Sequence, residues 1–315
     1  MYRPEIKVLD CTIRDGGLSN NWDFDEAFVR RVYRALSDAG VDYMEIGYRA
    51  SKKIFDPAEN GPWRFCDEEM IRRVVGDEEP RLKLSCMVDV DRVEPSDILP
   101  CEDSLLSMIR VATYVPDIDK AIALASDAID KGYETTVNIM AISRALERDL
   151  DEALEQLAET KVSTVYVVDS FGALYSEQIH YLVDKYARYL NGKEIGIHCH
   201  NNQQLAFANT IEAIIRGSNR LDATLYGIGR GAGNCPLELL MSFLKNPKFK
   251  IHPILDVISE LFIPLREKIE WGYLIPYMIT GSLDEHPRSA IKLLAGADRR
   301  NFRKFYEQLL DDELA

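Results

Sequence analysis

Eight short apolar runs alternate with longer stretches whose apolar residues recur at helical spacing, and this alternation fills the first 245 residues of the chain. The runs are Ile6–Cys11, Tyr43–Gly47, Leu82–Val88, Met108–Ala112, Thr135–Met140, Thr164–Val168, Glu194–His198 and Leu221–Leu225. They read as strands, and continuous apolar runs of this kind are strands with both faces buried. Helical periodicity covers Asp25–Ala39, Asp67–Val75, Asp117–Lys131, Asp149–Lys161, Ser176–Leu190, Gln203–Arg216 and Pro236–Leu244. Tyr48–Arg64 reads as an irregular insertion, and the link between the third and fourth strands is poorly helical. Eight strand–crossover units in about 250 residues predict an α/β fold, the (β/α)8 TIM barrel. An open doubly wound sheet is the alternative, but no Gly-x-Gly-x-x-Gly turn follows the first strand.

After residue 245 the alternation stops. Pro253–Tyr273, Pro287–Leu294 and Arg300–Leu314 have helical patterning, with no flexible linker before them. The expected organisation is a catalytic barrel over residues 1–245 and a helical segment over 246–315, packed on the barrel or on a partner.

Bulk properties narrow the function. A net charge of -14 argues against non-specific nucleic-acid binding, which needs a basic patch. An anionic small molecule stays open, since one placed arginine outweighs a distant acidic surface. The sequence shows no signal-peptide pattern and no apolar run near the roughly 20 residues that span a bilayer. Six cysteines are scattered without a Cys-x-x-Cys pair, which reads as buried, reduced thiols and a cytoplasmic setting.

Barrel enzymes carry their chemistry at the C-terminal ends of the strands, so polar residues there are the informative ones. Strand one delivers Arg14 and Asp15, strand two Glu45, and strand three Asp89. Strand four holds Arg110, strand five Asn138, and strand six ends at Asp169. Strand seven gives His198 and His200, which share a face because strand side chains alternate. Two imidazoles with a carboxylate suit one divalent cation. Strand eight carries Asp222 and Thr224, and a glycine loop over Gly227–Asn234 would let backbone approach a ligand. Structural roles are open for several: Asp10, Asp169 and Asp222 as helix caps or backbone acceptors, and Glu45 with Arg110 as an internal ion pair.

Three stretches together resemble the DRE-TIM metallolyases: Leu-Asp-Cys-Thr-Ile-Arg-Asp-Gly-Gly over 9–17, His-Cys-His-Asn-Asn over 198–202, and Gly-Arg-Gly-Ala-Gly-Asn over 229–234. That superfamily holds 4-hydroxy-2-oxovalerate aldolase, hydroxymethylglutaryl-CoA lyase and the isopropylmalate and homocitrate synthases. The resemblance implies Asp15, His198 and His200 as ligands of one Mn²⁺ or Mg²⁺ per chain, with Asn234 on or near the metal. It implies Arg14 as the cation that stabilises an enolate oxygen. Glu45, Asp89, Asn138, Asp169, Gly231 and Gly233 are the expected substrate-binding positions. The aldolase branch is the best match, because the first motif continues Arg-Asp-Gly-Gly-Leu where condensing synthases usually have Arg-Asp-Gly-Glu-Gln. Trp271–Tyr277 also resembles a piece of the aldolase C-terminal domain, which implies Tyr277 as a proton relay; an aromatic helix face packed on the barrel is the other reading.

One position departs from the aldolases. Where they carry a histidine base just after Arg-Asp-Gly, this chain has Leu18. Tyr48, Asp89, Tyr277 or a metal-bound hydroxide could take that role. The expected function is a metal-dependent aldolase or lyase that makes or breaks a C–C bond beside a 2-oxo acid. Alternatives are an acyl-CoA-dependent condensing synthase and a barrel used only for binding. A homo-oligomer is expected, and because oxovalerate aldolases usually dock an aldehyde dehydrogenase on their tail, the resemblance leaves open such a partner on the C-terminal segment.

Overall fold

The computed structural model describes residues 3–76 and 82–314. Eight parallel strands close into a barrel in sequence order, so the expected fold is the observed one. The first half runs β1 (Lys7–Asp10), α1 (Thr12–Gly16), α2 (Glu26–Ala39), β2 (Tyr43–Tyr48), α3 (Glu68–Val75), β3 (Lys83–Asp89) and β4 (Met108–Thr113). It continues with α4 (Ile118–Asp130), β5 (Glu134–Ile139), α5 (Glu147–Ala158), β6 (Thr164–Asp169), α6 (Ser176–Tyr189), β7 (Glu194–Cys199), α7 (Ala206–Ile215), β8 (Arg220–Ala223) and α8 (Leu237–Leu244). Closure comes from β1 pairing with β8, Val8 opposite Leu221.

Local chemistry sets the element ends. Asp25 caps α2 by accepting the Phe28 N–H at 2.7 Å, and Gly40 ends the helix at φ 77°. The crossover from β3 to β4 has two 3-10 turns, Pro95–Asp97 and Cys101–Asp103, and no α-helix. Proline lacks a backbone N–H, so Pro95 and Pro100 interrupt any longer helical ladder there.

The bottom of the barrel is closed by its own ion network. Arg220, at the start of β8, binds Glu134 at 2.6 Å and Glu194 at 2.5 Å and lies over the Tyr43 ring at 5.1 Å. This end is structural, which leaves the opposite rim free for chemistry.

Beyond α8 come α9 (His252–Val257), α10 (Ile263–Arg266), α11 (Ile275–Ser282), α12 (Arg288–Ala295) and α13 (Phe302–Leu314). The single helix expected over 253–273 is therefore broken. A π-turn over Ile258–Phe262 precedes Pro264, whose missing N–H and ring cannot be fitted into a regular ladder. Phe262 from this turn reaches the Phe28 ring of α2 at 5.4 Å, and Ile254, Val257 and Trp271 join the barrel's core. A second apolar cluster gathers Tyr277, Ile279, Ala290, Phe305 and Leu309 around Ala232 of the loop after β8. The tail thus lies against the rim that carries the loop after β8. All six cysteines are free thiols. No helix among the described residues is long and apolar enough to cross a membrane.

Candidate active site

α1 follows β1 directly, so Arg14 and Asp15 stand buried at the barrel mouth. His198 is the penultimate residue of β7 and His200 lies just past its end, with ring centres 5.1 Å apart and planes at 82°. A backbone bridge between His200 and Asn234 brings the glycine loop alongside. One donor atom each from Asp15, His198 and His200 lies within 4.8 Å of the other two. The loop approaches so closely that a Cβ on Gly229 would sit 2.1 Å from Asn234 Nδ2 and 2.5 Å from Asp15 Oδ2.

The hydrogen bonds orient these donors. His198 Nδ1 donates to Asp222 at 3.0 Å, which leaves Nε2 as the free nitrogen. His200 Nδ1 donates to the Gly233 carbonyl at 3.3 Å. Asn234 Nδ2 donates to Asp15 at 2.6 Å and to the Ile228 carbonyl at 3.0 Å, which turns its Oδ1 the other way. His198 Nε2 and Asn234 Oδ1 are sealed from solvent and have no partner. A buried polar atom left unpaired is costly, and a cation at the Asp15–His198–His200 cluster would give His198 Nε2 a partner. Burial favours neutral Asp15, yet the Arg14 guanidinium beside it holds its carboxyl well below the usual range. Burial keeps the His200 imidazole neutral against the pull of Asp15. An ionised carboxylate at Asp15 and a neutral imidazole at His200 are the protonation states a hard divalent cation needs. The residues fit a divalent metal.

Arg14 has two anchors, donating Nη1–H to Asp15 at 2.5 Å and Nε–H to Glu45 at 2.7 Å. Glu45 also meets Arg110 at 3.0 Å, and Arg110 donates to Asp222 at 2.6 Å. Glu45 is thus held in this ion network rather than presented to the cavity.

Above the cluster opens a cavity of about 410 Å³, lined among others by Arg14, Asp15, Leu18, Tyr48, Asp89, Asn138, His198, His200, Arg230, His286 and Arg288. Asp89 and Asn138 line this cavity. Asp169 instead accepts the Ala173 and Leu174 N–H groups at 3.0 and 3.3 Å, and burial pushes its carboxyl up to about 7. Gly231 and Gly233 lie outside the lining; Gly233, at φ 80°, would clash with the Gly227 carbonyl if it bore a Cβ. Tyr277 packs its ring on Gly231 inside the tail's apolar cluster, and burial beside Glu270 pushes its phenol up to about 12.

Several cavity residues had no sequence signal. His286, Arg288 and Ile291 reach the lining from the tail. Burial, then Arg230 and Arg288, lowers the His286 imidazole to about 4. Arg230 stood in the quoted glycine motif, where a lone arginine among glycines was the available clue.

Comparison with known proteins agrees with this geometry. The HMGL-like family profile matches residues 106–261. The chain is 34% identical to oxaloacetate decarboxylase of Mycobacterium tuberculosis, over 76% of this chain and 69% of that protein. It is 27% identical to 4-hydroxy-2-oxovalerate aldolase of Thermus thermophilus, over 86% of this chain and 81% of that protein. The crystal structure of the N-terminal domain of a provisionally named aldolase from Bacteroides vulgatus superposes with a TM-score of 0.82 at 29% identity, covering 95% of this chain and all of that one. HMG-CoA lyase of Bacillus subtilis shares the fold at 16% identity, TM-score 0.68, over 85% of this chain and 95% of the other. The chain belongs to the HMGL-like family, and its class is that of a carbon–carbon lyase.

Proposed function

We propose that this chain is a divalent-metal-dependent lyase that breaks the C3–C4 bond of a 2-oxo acid, releasing pyruvate in its enol form. The observation that carries the reading is the buried donor cluster of Asp15, His198 and His200, in which His198 Nε2 has no partner and the Asp15 carboxylate is paired with Arg14. Asp15, His198, His200 and Asn234 would hold the ion, Mn²⁺ or Mg²⁺. When bound, such an ion supplies Lewis-acid polarisation of the substrate's 2-oxo group.

Arg14 supplies the fixed cation for negative charge developing on the C2 oxygen, and its anchors on Asp15 and Glu45 mean it need not reorganise as the bond breaks. For a 4-hydroxy substrate a base must remove the hydroxyl proton, and Leu18 cannot. We assign that step to Asp89. Its Oδ1 is buried and unpartnered while Oδ2 accepts from Arg92 at 3.1 Å, and burial raises its pKa against the pull of Arg92 and Arg14. Asn138 is read as a substrate contact on the wall. We read residues 1–245 as the catalytic barrel and 246–315 as a segment that completes its cavity through His286 and Arg288.

The relatives named aldolase and decarboxylase support this reading, because both names describe cleavage of a bond one carbon removed from a 2-oxo group. The test is pyruvate release from a panel of 4-hydroxy-2-oxo acids and from oxaloacetate, with Mn²⁺ and after chelation. Metal-dependent release that falls about 10²–10³-fold in Arg14→Ala is expected. Turnover unchanged in Arg14→Ala sinks the mechanism, and release of thiol from an acyl-CoA in place of pyruvate release points to a condensing synthase.

A further inference from the structure

Arg230 lines the cavity, and the bond-breaking step does not use its charge. It sits in the loop after β8, and its backbone N–H donates to Asp15 at 3.3 Å. Its side chain crosses the cavity mouth to the loop after β6, where Nη2 donates to the Ser170 carbonyl at 2.5 Å. Nε is sealed from solvent and has no partner. The other arginines of the wall are matched, Arg14 by Asp15 and Glu45, and Arg92 by Asp89 at 3.1 Å. Among the described residues no carboxylate lies within ion-pair distance of the Arg230 or Arg288 side chain. Both arginines bear on His286, which they and its burial hold neutral as a hydrogen-bonding group. Two unmatched guanidiniums and a neutral imidazole at one corner of a cavity are a receptor for a planar anion.

Resting on the lyase reading above, we propose that Arg230, with Arg288 and His286, binds a second carboxylate of the substrate, at the end remote from the 2-oxo group. The substrate class is then a 2-oxo dicarboxylic acid. For a 4-hydroxy member the step balances without a co-reactant. The base takes the O4 proton, the C4–O bond becomes a carbonyl, and the C3–C4 pair passes to C3 and the C2 oxygen. C3 is then protonated to give pyruvate, and the other product keeps the second carboxylate as an oxo acid.

Two pairs of compounds that differ only by methyl against carboxylate test this on the full chain with Mn²⁺. The binding pair is 2-oxoglutarate and 2-oxovalerate, which lack the hydroxyl and are not cleaved by this route. The turnover pair is 4-hydroxy-2-oxoglutarate and 4-hydroxy-2-oxovalerate, followed by pyruvate release. Wild type is expected to bind the dicarboxylate about tenfold or more tightly, since a charge-assisted hydrogen bond discriminates by that order. Arg230→Met should bring the affinity ratio close to one, Arg230→Lys should restore part of it, and Arg288→Met should reduce it. Thermal melting confirms that each variant is folded. Equal affinity in wild type, binding of neither compound, or a preference that survives in Arg230→Met overturns the proposal. An equal loss for both compounds in Arg230→Met also overturns it, because Arg230 would then serve the carboxylate they share. Failure of the lyase reading looks different: no metal-dependent pyruvate from either hydroxy acid, whatever the binding ratio.

Discussion

Asp15 and His198 stand at the two ends of one buried chain of ion pairs and hydrogen bonds that leaves the candidate metal cluster and returns to it. Asp15 accepts from Arg14 at 2.5 Å, Arg14 donates to Glu45 at 2.7 Å, and Glu45 meets Arg110 at 3.0 Å. Arg110 donates to Asp222 at 2.6 Å, and Asp222 accepts from His198 at 3.0 Å. Each charge faces its opposite, so the chain tolerates its burial and fixes the orientation of both ends.

Asp222→Asn should therefore act on the metal without touching it. The amide still accepts one bond but no longer neutralises Arg110 or polarises His198. Mn²⁺ affinity by calorimetric titration is expected to fall about 10–100-fold with the fold retained. Unchanged affinity means that His198 is held by something other than Asp222.

Gly229→Ala should damage the same centre from the opposite side. The added methyl meets Asn234 Nδ2 at 2.1 Å and Asp15 Oδ2 at 2.5 Å, so those side chains must part. Loss of Mn²⁺ binding with an intact far-ultraviolet spectrum is expected. Wild-type affinity in this variant shows that the Asp15–Asn234 contact is dispensable.

Asp89→Asn separates proton transfer from metal binding. With Asp89 as the base, kcat on 4-hydroxy substrates should drop about 10²–10⁴-fold while Mn²⁺ affinity stays at the wild-type value. Leu18→His, at a side chain 37% exposed on the cavity wall, should recover part of that loss in the double variant. Full activity of Asp89→Asn removes the assignment.

His286 ties stability to acid. Its pKa falls from an ordinary 6.5 to about 4 on folding, so between these values the unfolded chain binds a proton that the folded chain does not. Its contribution is present above about pH 6.5 and is lost as the pH falls through 4. Melting temperatures measured from pH 7 down to 4 should decline less steeply in His286→Gln than in wild type. Parallel curves contradict the assigned environment.

Much of this was legible in the chain itself. Parallel strands buried on both faces give continuous apolar runs, so the barrel and the rim positions of Arg14, Asp15, His198 and His200 follow from β1 and β7 alone. The tail was harder to read. Pro264 lies inside an apolar periodic stretch that looks like one helix, and only packing against Phe28 shows where it breaks. His286 and Arg288 come to the cavity through the turn between α11 and α12, a placement that no local pattern encodes. Asp169 sits at the end of β6 and Gly233 in the rim loop as anticipated, while Glu45 lies inside β2 rather than at its end, and each is engaged locally: Asp169 by two backbone N–H groups, Gly233 by a φ of 80°, Glu45 by Arg14 and Arg110. Position along a strand says which end a residue occupies and not which partner it finds there.

The most direct test joins metal and chemistry in one preparation. Bound Mn²⁺ is measured on wild type and His200→Ala, followed by pyruvate release from the 4-hydroxy-2-oxo acid panel. One Mn²⁺ per chain in wild type, its loss in His200→Ala, and pyruvate released only with the metal are the predicted results. A wild-type protein that binds no divalent cation, or that releases pyruvate equally well after chelation, contradicts the account.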